Sequence, residues 1–296
     1  MPPPPITSTP YACERAVAED AARAAGAFIQ THAGELEVSA IRDKGIHDLV
    51  TFVDEEAEHI IARHLREAFP NDALLGEETA AEDVRPAIEG RRWIVDPLDG
   101  TTNFIHGVPP YAVSIALQVG ADLVVGVVYD VAHHELFVAE IGHGLTLNDK
   151  PATVSETANI GEALIATGFP FRDYGFVEGY MASLAHFMRV TRGVRRPGAA
   201  AVDLAWVACG RFDGFFEAGL APWDLAAGVV LVRAAGGRTS DLRGENDPVF
   251  NGGIVASNPL LYSEIQTGCV PLARAYEAAM DLRFAGSTER RDESAV

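Results

Sequence analysis

The order of predicted strands and helices is the feature that most restricts the fold of this chain. Between 112 and 154, alternating and β-branched runs are separated by Gly and Asp turns, the pattern of an antiparallel meander. Downstream, short apolar strands at 163–167, 215–216 and 253–257 alternate with helical segments. Antiparallel strands followed by strand–helix alternation predict stacked sheets and helices rather than a barrel. We therefore predict a layered α/β fold.

Helices are predicted on both sides of the meander. Apolar residues recur at helical spacing over 11–32 and 51–69, and two short strands, at 73–75 and 92–95, each lead into carboxylates. Three acids on the second helix are interpreted as a solvated face rather than a binding site: Glu55, Glu56 and Glu58. Further helices are predicted over 179–190, 199–209, 222–235 and 260–280.

The length of the chain indicates how it is divided. Its 296 residues suffice for one large domain or two closely packed halves, and no internal repeat or flexible linker is evident. We predict an N-terminal half, 11–154, that carries most of the candidate metal ligands, and a C-terminal half, 155–283, that carries Asp224. The proline-rich start, 1–10, and the tail, 284–296, are predicted to be disordered.

Charge and cysteine content disfavour several classes of function. Forty-two acidic residues against 23 Lys and Arg give a net charge of −19, which argues against general nucleic-acid binding and against anionic membranes. The three cysteines show no CxxC spacing, which is typical of reduced thiols in the cytoplasm. No secretory signal or membrane-spanning run is recognised, so we expect a cytoplasmic protein.

Carboxylates stand at three junctions between predicted elements. Asp96 and Asp99 follow an apolar strand in WIVDPLDGTTNF, Glu77 follows a strand in GEET, and Asp224 opens a helix in APWD. Ligand sites in open sheets form outside the carboxyl ends of strands, so these acids can converge. An oxygen-only set suits Mg²⁺ or Mn²⁺, and the absence of paired His or Cys argues against Zn²⁺.

The turn after the WIVD strand could serve two metal ions. Pro97 fixes the turn so that Asp96 and Asp99 can present oxygens to one volume, with the Leu98 carbonyl as a further ligand. Two ions about 3.5–4 Å apart stabilise both the attacking and the leaving oxygen of an in-line phosphoryl displacement.

The same turn could also hold a phosphate. The N–H groups of Gly100 and Thr101 would form an anion seat if they open a helix. The alternative interpretation is an ordinary surface turn, in which the aspartates cap backbone N–H groups.

Three segments carry a family pattern: GEET at 76–79, WIVDPLDGTTNF at 93–104 and WDLAAG at 223–228. In order and spacing they resemble the motifs of the inositol monophosphatase family, and the similarity runs from about 11 to 280. The resemblance implies a layered α-β-α-β-α sandwich and a homodimer. It also implies Mg²⁺-dependent, Li⁺-sensitive hydrolysis of a small phosphomonoester, with myo-inositol monophosphate as the leading candidate.

The resemblance further implies metal ligands by position. Glu77, Asp96 and the Leu98 carbonyl would hold a first Mg²⁺, and Asp96, Asp99 and Asp224 would hold a second. A third, weaker ion would lie near Glu77.

Catalytic and substrate contacts are implied in the same way. KGIHDLVT at 44–51 resembles the family's lysine loop, so Lys44 would lie near the metal site. Asp48 would pair with Thr101 to orient the attacking water, and Glu77 would be the third catalytic residue. The implied substrate contacts are Lys44, Asp99, Gly100, Thr101, Ala200, Glu217 and Asp224.

Two features near these motifs have open interpretations. Arg195 and Arg196 could approach a phosphate or could form a surface pair. The stretch Phe169-Pro170-Phe171 is interpreted as a packed loop rather than as an aromatic clamp for a ligand.

Two rivals to an inositol monophosphatase remain open. Related phosphatases with this fold act on fructose 1,6-bisphosphate, 3′-phosphoadenosine 5′-phosphate or histidinol phosphate, and the acids alone do not separate these substrates. A non-catalytic metal- or protein-binding module is the alternative of another class. The presence of all the matching acids together with Thr101 and Asp48 favours the enzyme, since a binding module would not need a pair that orients water.

Overall fold

The computed structural model describes residues 9–34, 41–45, 48–79, 90–171, 173–245 and 247–293, with side chains except in 41–49 and 283–293. Two helices and a hairpin form its first part: α1 (Ala12–His32), β1 (Ile41–Gly45), β2 (Asp48–Thr51) and α2 (Phe52–Ala68). Helix α2 begins with a capping box, in which the Thr51 hydroxyl accepts from the Val53 N–H and the Asp54 carboxylate accepts from the Thr51 N–H.

The larger sheet contains the predicted meander. Its strands, in spatial order, are β3 (Ala73–Gly76), β4 (Arg91–Asp99), β5 (Ala112–Val119), β6 (Asp122–Asp130), β7 (Glu135–Glu140), β8 (Gly144–Leu147) and β9 (Lys150–Ala152). Strands β3 and β4 are parallel and all other neighbours are antiparallel. The short helix α3 (Thr101–Ile105) follows β4 directly.

The second sheet has five strands in the order β11-β10-β12-β14-β13, with bounds β10 (Leu164–Thr167), β11 (Gly193–Arg195), β12 (Gly214–Ala218), β13 (Arg238–Ser240) and β14 (Gly253–Ser257). The accompanying helices are α4 (Val177–Val190), α5 (Ala200–Ala208), α6 (Pro222–Ala234), α7 (Tyr262–Gly268) and α8 (Val270–Glu293). Strand β10 is parallel to its neighbours β11 and β12, and β14 is antiparallel to its neighbours β12 and β13.

Three hydrophobic clusters define five layers. Helices α1 and α2 pack on the outer face of the seven-stranded sheet, and α4, α7 and α8 pack on the outer face of the five-stranded sheet. Helices α5 and α6 lie between the two sheets, and every residue of α6 from Leu225 to Val232 is buried because the helix contacts both. The predicted α/β layered sandwich is therefore confirmed.

Several boundaries differ from the sequence prediction. The single helix predicted over 260–280 is two helices, because Pro271 suits the first turn of a helix but not its interior. The tail predicted to be disordered from 284 instead continues α8 to Glu293, in a stretch rich in the helix-favouring residues Glu and Arg. No helix in the described part of the chain combines the length and apolarity that a bilayer span requires.

Candidate active site

A β-bulge brings two carboxylates to one side of β4. Asp96 pairs with Ser114 and Asp99 pairs with Ala112. The two aspartates are thus three residues apart on β4, whereas their partners are only two residues apart on β5. In a regular strand, residues three apart point to opposite faces, and one extra residue restores a common face. Pro97 lies in this bulge, where its missing N–H breaks no ladder hydrogen bond. The Asp96 carboxylate also accepts the Leu98 N–H at 3.0 Å.

The third carboxylate comes from the helix layer between the sheets. Asp224 lies in the first turn of α6, where its carboxylate accepts the Ala221 N–H at 2.7 Å. Carboxylate oxygens of Asp96, Asp99 and Asp224 all lie within 4.8 Å of one another. The structure thus brings together three of the predicted ligands, which are 128 positions apart at the extremes (224 − 96).

Helix α5 directs its N-terminus at one of these acids. Asp99 Oδ2 accepts the Ala201 N–H at 2.7 Å, and the N–H groups of Ala200 and Val202 also bond to this carboxylate. Hydrogen bonds to the charged form and the positive end of a helix both stabilise an ionised carboxylate. The protein therefore holds Asp99 in one orientation before any ligand arrives.

Burial and mutual repulsion make these acids reluctant to ionise. Burial raises the pKa of Asp96 well above its ordinary value, and the charges of Glu77, Asp99 and Asp224 raise it further. Burial and Asp224 raise the pKa of Asp99 to about 7, against the lowering effect of the three backbone hydrogen bonds. A cluster that is costly to ionise when empty is one that a divalent cation stabilises strongly.

Glu77, the fourth predicted ligand, follows β3 and lines the same cavity. Its loop is held from behind by Glu58 of α2, whose Oε2 accepts the Glu78 N–H at 2.9 Å. Glu58 is only 1% exposed, so the prediction that Glu55, Glu56 and Glu58 form a solvated face is wrong for this residue. The face of α2 at Asp54 and Glu58 is turned toward the site by packing.

Gly76 provides the space for Glu58, because a Cβ at that position would overlap the Glu58 carboxylate. We expect Gly76→Ala to lower the free energy of unfolding by about 1–3 kcal/mol, as over-packing of a buried site does. Chemical denaturation measures this loss, and Mg²⁺ titration of the folded variant should give weaker binding. The matched control is Gly161→Ala, whose Cβ would come no nearer than 3.3 Å to a neighbour. Equal stability of both variants would contradict the role of Gly76.

Thr101 bonds to an acid that the sequence analysis did not single out. Its hydroxyl lies 2.9 Å from Asp54 Oδ1 and 3.0 Å from the Leu98 carbonyl oxygen, and the Thr51 hydroxyl donates to the other Asp54 oxygen at 2.7 Å. Asp54 is thus a partner of Thr101, and the predicted pairing with Asp48 stays a prediction, because the Asp48 side chain lies outside the described part of the structure. Asp54 is buried in the first turn of α2.

The lysine loop is only partly described. Lys44 lies in β1 and Asp48 in β2, and the side chains of both residues are outside the described part of the structure. Their predicted contacts therefore stay predictions.

The cavity over these carboxylates has a volume of about 660 Å³ and includes the predicted substrate contacts Gly100, Ala200 and Glu217. Gly100 has a φ of 87°, a left-handed conformation that favours glycine, and it starts α3. The Glu217 carboxylate lies so close to Gly168 that a Cβ on Gly168 would overlap it. Glu217 is thus confined at the cavity wall.

Two further acids were missed by the sequence analysis. Asp54 could have been found from the Thr51-Phe52-Val53-Asp54 pattern, since a threonine followed three residues later by an acid indicates a capping box. Asp203 on α5 is 1% exposed, and burial raises its pKa well above the ordinary value, with smaller contributions from Glu217 and Asp99. No local pattern distinguishes Asp203 from a surface acid.

The raised pKa values predict a pH-dependent effect of Mg²⁺ on stability. Asp99 has a pKa of about 7 when folded, against an ordinary value of 3.8, so the folded state binds more protons between these pH values. The free energy of unfolding of the metal-free protein should fall as pH rises through this window, and bound Mg²⁺ should offset the loss. We expect Mg²⁺ to raise Tm more at pH 8 than at pH 5.5, measured against EDTA. Equal shifts at both pH values would contradict this electrostatic description.

A five-layer α/β fold with buried carboxylates converging on a cavity defines a class of protein whose site could hold divalent cations beside a small ligand. The chain belongs to the inositol monophosphatase family, whose sequence model matches residues 11–278. This family consists of metal-dependent phosphatases.

Individual relatives carry two kinds of name. The Rhizobium meliloti protein named inositol-1-monophosphatase is 43% identical over 79% of this chain and 87% of that protein. The Pseudomonas aeruginosa protein named Nus factor SuhB is 42% identical over 86% of this chain and 95% of that protein. The structure of extragenic suppressor protein suhB from Bartonella henselae matches with a TM-score of 0.80 and 40% identity, covering 87% of this chain and 98% of that one.

Proposed function

We propose that this protein hydrolyses a small phosphomonoester with Mg²⁺ as cofactor, and that myo-inositol monophosphate is its substrate. The observation that carries the proposal is the convergence of Asp96, Asp99 and Asp224 within 4.8 Å, beside the Thr101–Asp54 hydrogen bond. The halves 11–154 and 155–283 would both contribute to this one site. The name of the Rhizobium relative supports the substrate.

The residues at the site fit Mg²⁺. The donors are carboxylate oxygens, with no His or Cys in the cluster found among the described residues, and Mg²⁺ prefers such hard ligands. Asp96 and Asp99 are buried acids whose mutual repulsion a divalent cation would relieve. Asp96, Asp99 and Asp224 would hold one ion, and Glu77, Asp96 and the Leu98 carbonyl another. When bound, Mg²⁺ would neutralise phosphate charge and make a water molecule more acidic.

The chain's own groups would position the reacting water. The Thr101 hydroxyl is held by Asp54 at the start of α3, close to the cluster. A hydroxyl that donates to a carboxylate has oxygen lone pairs left to accept a proton from water, so the pair can fix the direction of attack. The N–H groups at the start of α3 would bind phosphate oxygens. Asp224 would hold the water that protonates the leaving alcohol.

The opposite wall of the cavity would bind the alcohol part of the substrate. Glu217 offers carboxylate oxygens that accept hydroxyl protons, and Ala200 contributes backbone beside Asp99. A volume of about 660 Å³ accommodates a six-carbon polyol phosphate. A homodimer, inhibition by Li⁺ and a cytoplasmic location are parts of the same proposal and rest on the family.

The test is phosphate release from a panel of substrates. Inositol 1-phosphate, fructose 1,6-bisphosphate, 3′-phosphoadenosine 5′-phosphate and histidinol phosphate would be compared with Mg²⁺, with EDTA and with added Li⁺. We expect Mg²⁺-dependent, Li⁺-sensitive release that is fastest with inositol 1-phosphate. Preference for another ester would retain the phosphatase and change its substrate, and no release from any of them would overturn the proposal.

A second candidate function comes from the names of other relatives. The Pseudomonas protein is named Nus factor SuhB, so the second candidate is a role for this chain as a binding partner, with or without hydrolysis. If the binding to such a partner survives Asp96→Asn while phosphate release is lost, the binding role is separate from catalysis.

A further inference from the structure

The cavity wall also contains two aromatic residues and one arginine. Phe169, Phe171 and Arg196 line the cavity together with the carboxylates described above. Each phenylalanine is 40% exposed, and their rings are perpendicular, with centroids 5.6 Å apart. The interpretation of Phe169-Pro170-Phe171 as a packed loop is therefore incomplete, since both rings reach the cavity.

Both rings support the guanidinium of Arg196. Its Cζ lies 5.3 Å from the ring centroid of Phe169 and 4.9 Å from that of Phe171. Both distances are those of a cation–π contact, in which a ring attracts the positive charge. Within the described part of the chain, Arg196 forms no ion pair with a carboxylate. Its N–H groups can therefore donate to a ligand.

Arg196 is held at a fixed position relative to the carboxylate cluster. The side-chain amide of Asn103 in α3 donates to the Pro197 carbonyl at 2.9 Å and to the Pro110 carbonyl at 2.8 Å. This clamp fastens the turn after Arg196 to the helix that begins at Thr101. The cluster and Arg196 line the same cavity.

Among the described residues that line the cavity, six are acidic and one is basic. The described acidic residues that line it are Glu77, Asp96, Asp99, Asp173, Glu217 and Asp224. Arg196 is the basic side chain among the described lining residues. A phosphate beside Asp96, Asp99 and Asp224 needs metal ions, whereas an anion beside Arg196 can bind the guanidinium directly.

We propose that Arg196, held on Phe169 and Phe171, forms a subsite for a second phosphate on the alcohol part of the substrate. The chain would then accept phosphomonoesters whose alcohol carries a further phosphate, and would bind them more tightly than the matching monophosphates. A guanidinium suits this role because its paired N–H groups match two phosphate oxygens. The inference rests on the proposed function, since the first phosphate is the one to be hydrolysed.

The experiment compares a matched pair of substrates in matched variants. Initial rates with Mg²⁺ would be measured for fructose 1-phosphate and fructose 1,6-bisphosphate, with inositol 1-phosphate as reference. The test variant is Arg196→Gln. The control is Arg195→Gln, which changes the adjacent exposed arginine, whose Nη1 donates to the Val194 carbonyl. Calorimetric binding of the two fructose esters in Ca²⁺, which binds oxygen sites with a looser geometry, gives a readout independent of turnover.

We expect Arg196→Gln to lower kcat/KM for the bisphosphate by about tenfold or more, mainly through KM, because a hydrogen bond to a charged group is lost. The rate with inositol 1-phosphate should stay within about twofold, and Arg195→Gln should leave both esters unchanged. Equal loss with the mono- and bisphosphate, or none, would overturn the subsite. If the wild-type protein hydrolyses none of these esters, the proposed function fails. The subsite is tested separately by calorimetry: equal affinities of wild type and Arg196→Gln for the bisphosphate would refute it.

Discussion

Asp96→Asn is expected to lower phosphate release by about 10³-fold or more while the protein stays folded. Asp96 is the acid predicted to contact both metal ions, and loss of such a ligand removes several kcal/mol of transition-state stabilisation. Asp96 is 1% exposed, and burial raises the pKa of its carboxyl well above the ordinary value. Replacing the carboxyl with a neutral amide therefore lowers the electrostatic cost of folding the metal-free protein. We therefore expect the metal-free variant to be at least as stable as wild type in chemical denaturation.

The matched control for this substitution is a buried aspartate outside the cavity. Asp213 accepts the Ser155 hydroxyl at 2.6 Å and the Leu164 N–H at 2.7 Å, beside the first residues of β10 and β12 in the five-stranded sheet. Asp213→Asn should lower the free energy of unfolding by about 1–3 kcal/mol and leave the kcat of the folded protein within about twofold. Full phosphate release by Asp96→Asn would contradict the mechanism, whatever its stability.

Thr101→Ala is expected to lower kcat by about 10²-fold, with a smaller change in KM. The substitution removes the hydroxyl that Asp54 holds 2.9 Å away, and orientation of a reacting water is worth about 10²–10⁴-fold in such sites. Thr101→Ser keeps the hydroxyl and should retain most of the rate. Steady-state kinetics with Mg²⁺ at saturation measures both effects.

Substitution of the two candidate partners separates the structural pairing from the one predicted from the sequence. Asp54→Asn should reduce kcat, and its combination with Thr101→Ala should be much less than additive, because both changes break one hydrogen bond. Asp48→Asn should have a far smaller effect on kcat. A large loss in Asp48→Asn with a normal rate in Asp54→Asn would return the assignment to Asp48.

The sequence by itself determined the class of fold and the position of the acids along the chain. Alternation of period two across 112–154 and helical spacing elsewhere indicated the layers, because each pattern depends on local backbone geometry and on which face is buried. The motif segments 76–79, 93–104 and 223–228 likewise placed Glu77, Asp96, Asp99 and Asp224 at the ends of elements. These features are local, so a single sequence contains them.

The tertiary structure alone decided which side chains meet. Asp54 and Glu58 look like members of an exposed acidic face on α2, yet packing of that helix against β4 buries both and gives Thr101 its partner. Asp96 and Asp99 share one side of β4 only because the bulge opposite β5 adds a residue. Arg196 reaches the cavity because Asn103, 93 positions earlier (196 − 103), fastens its turn to α3. Such contacts join segments far apart in sequence, and their energies depend on burial, which no local pattern encodes.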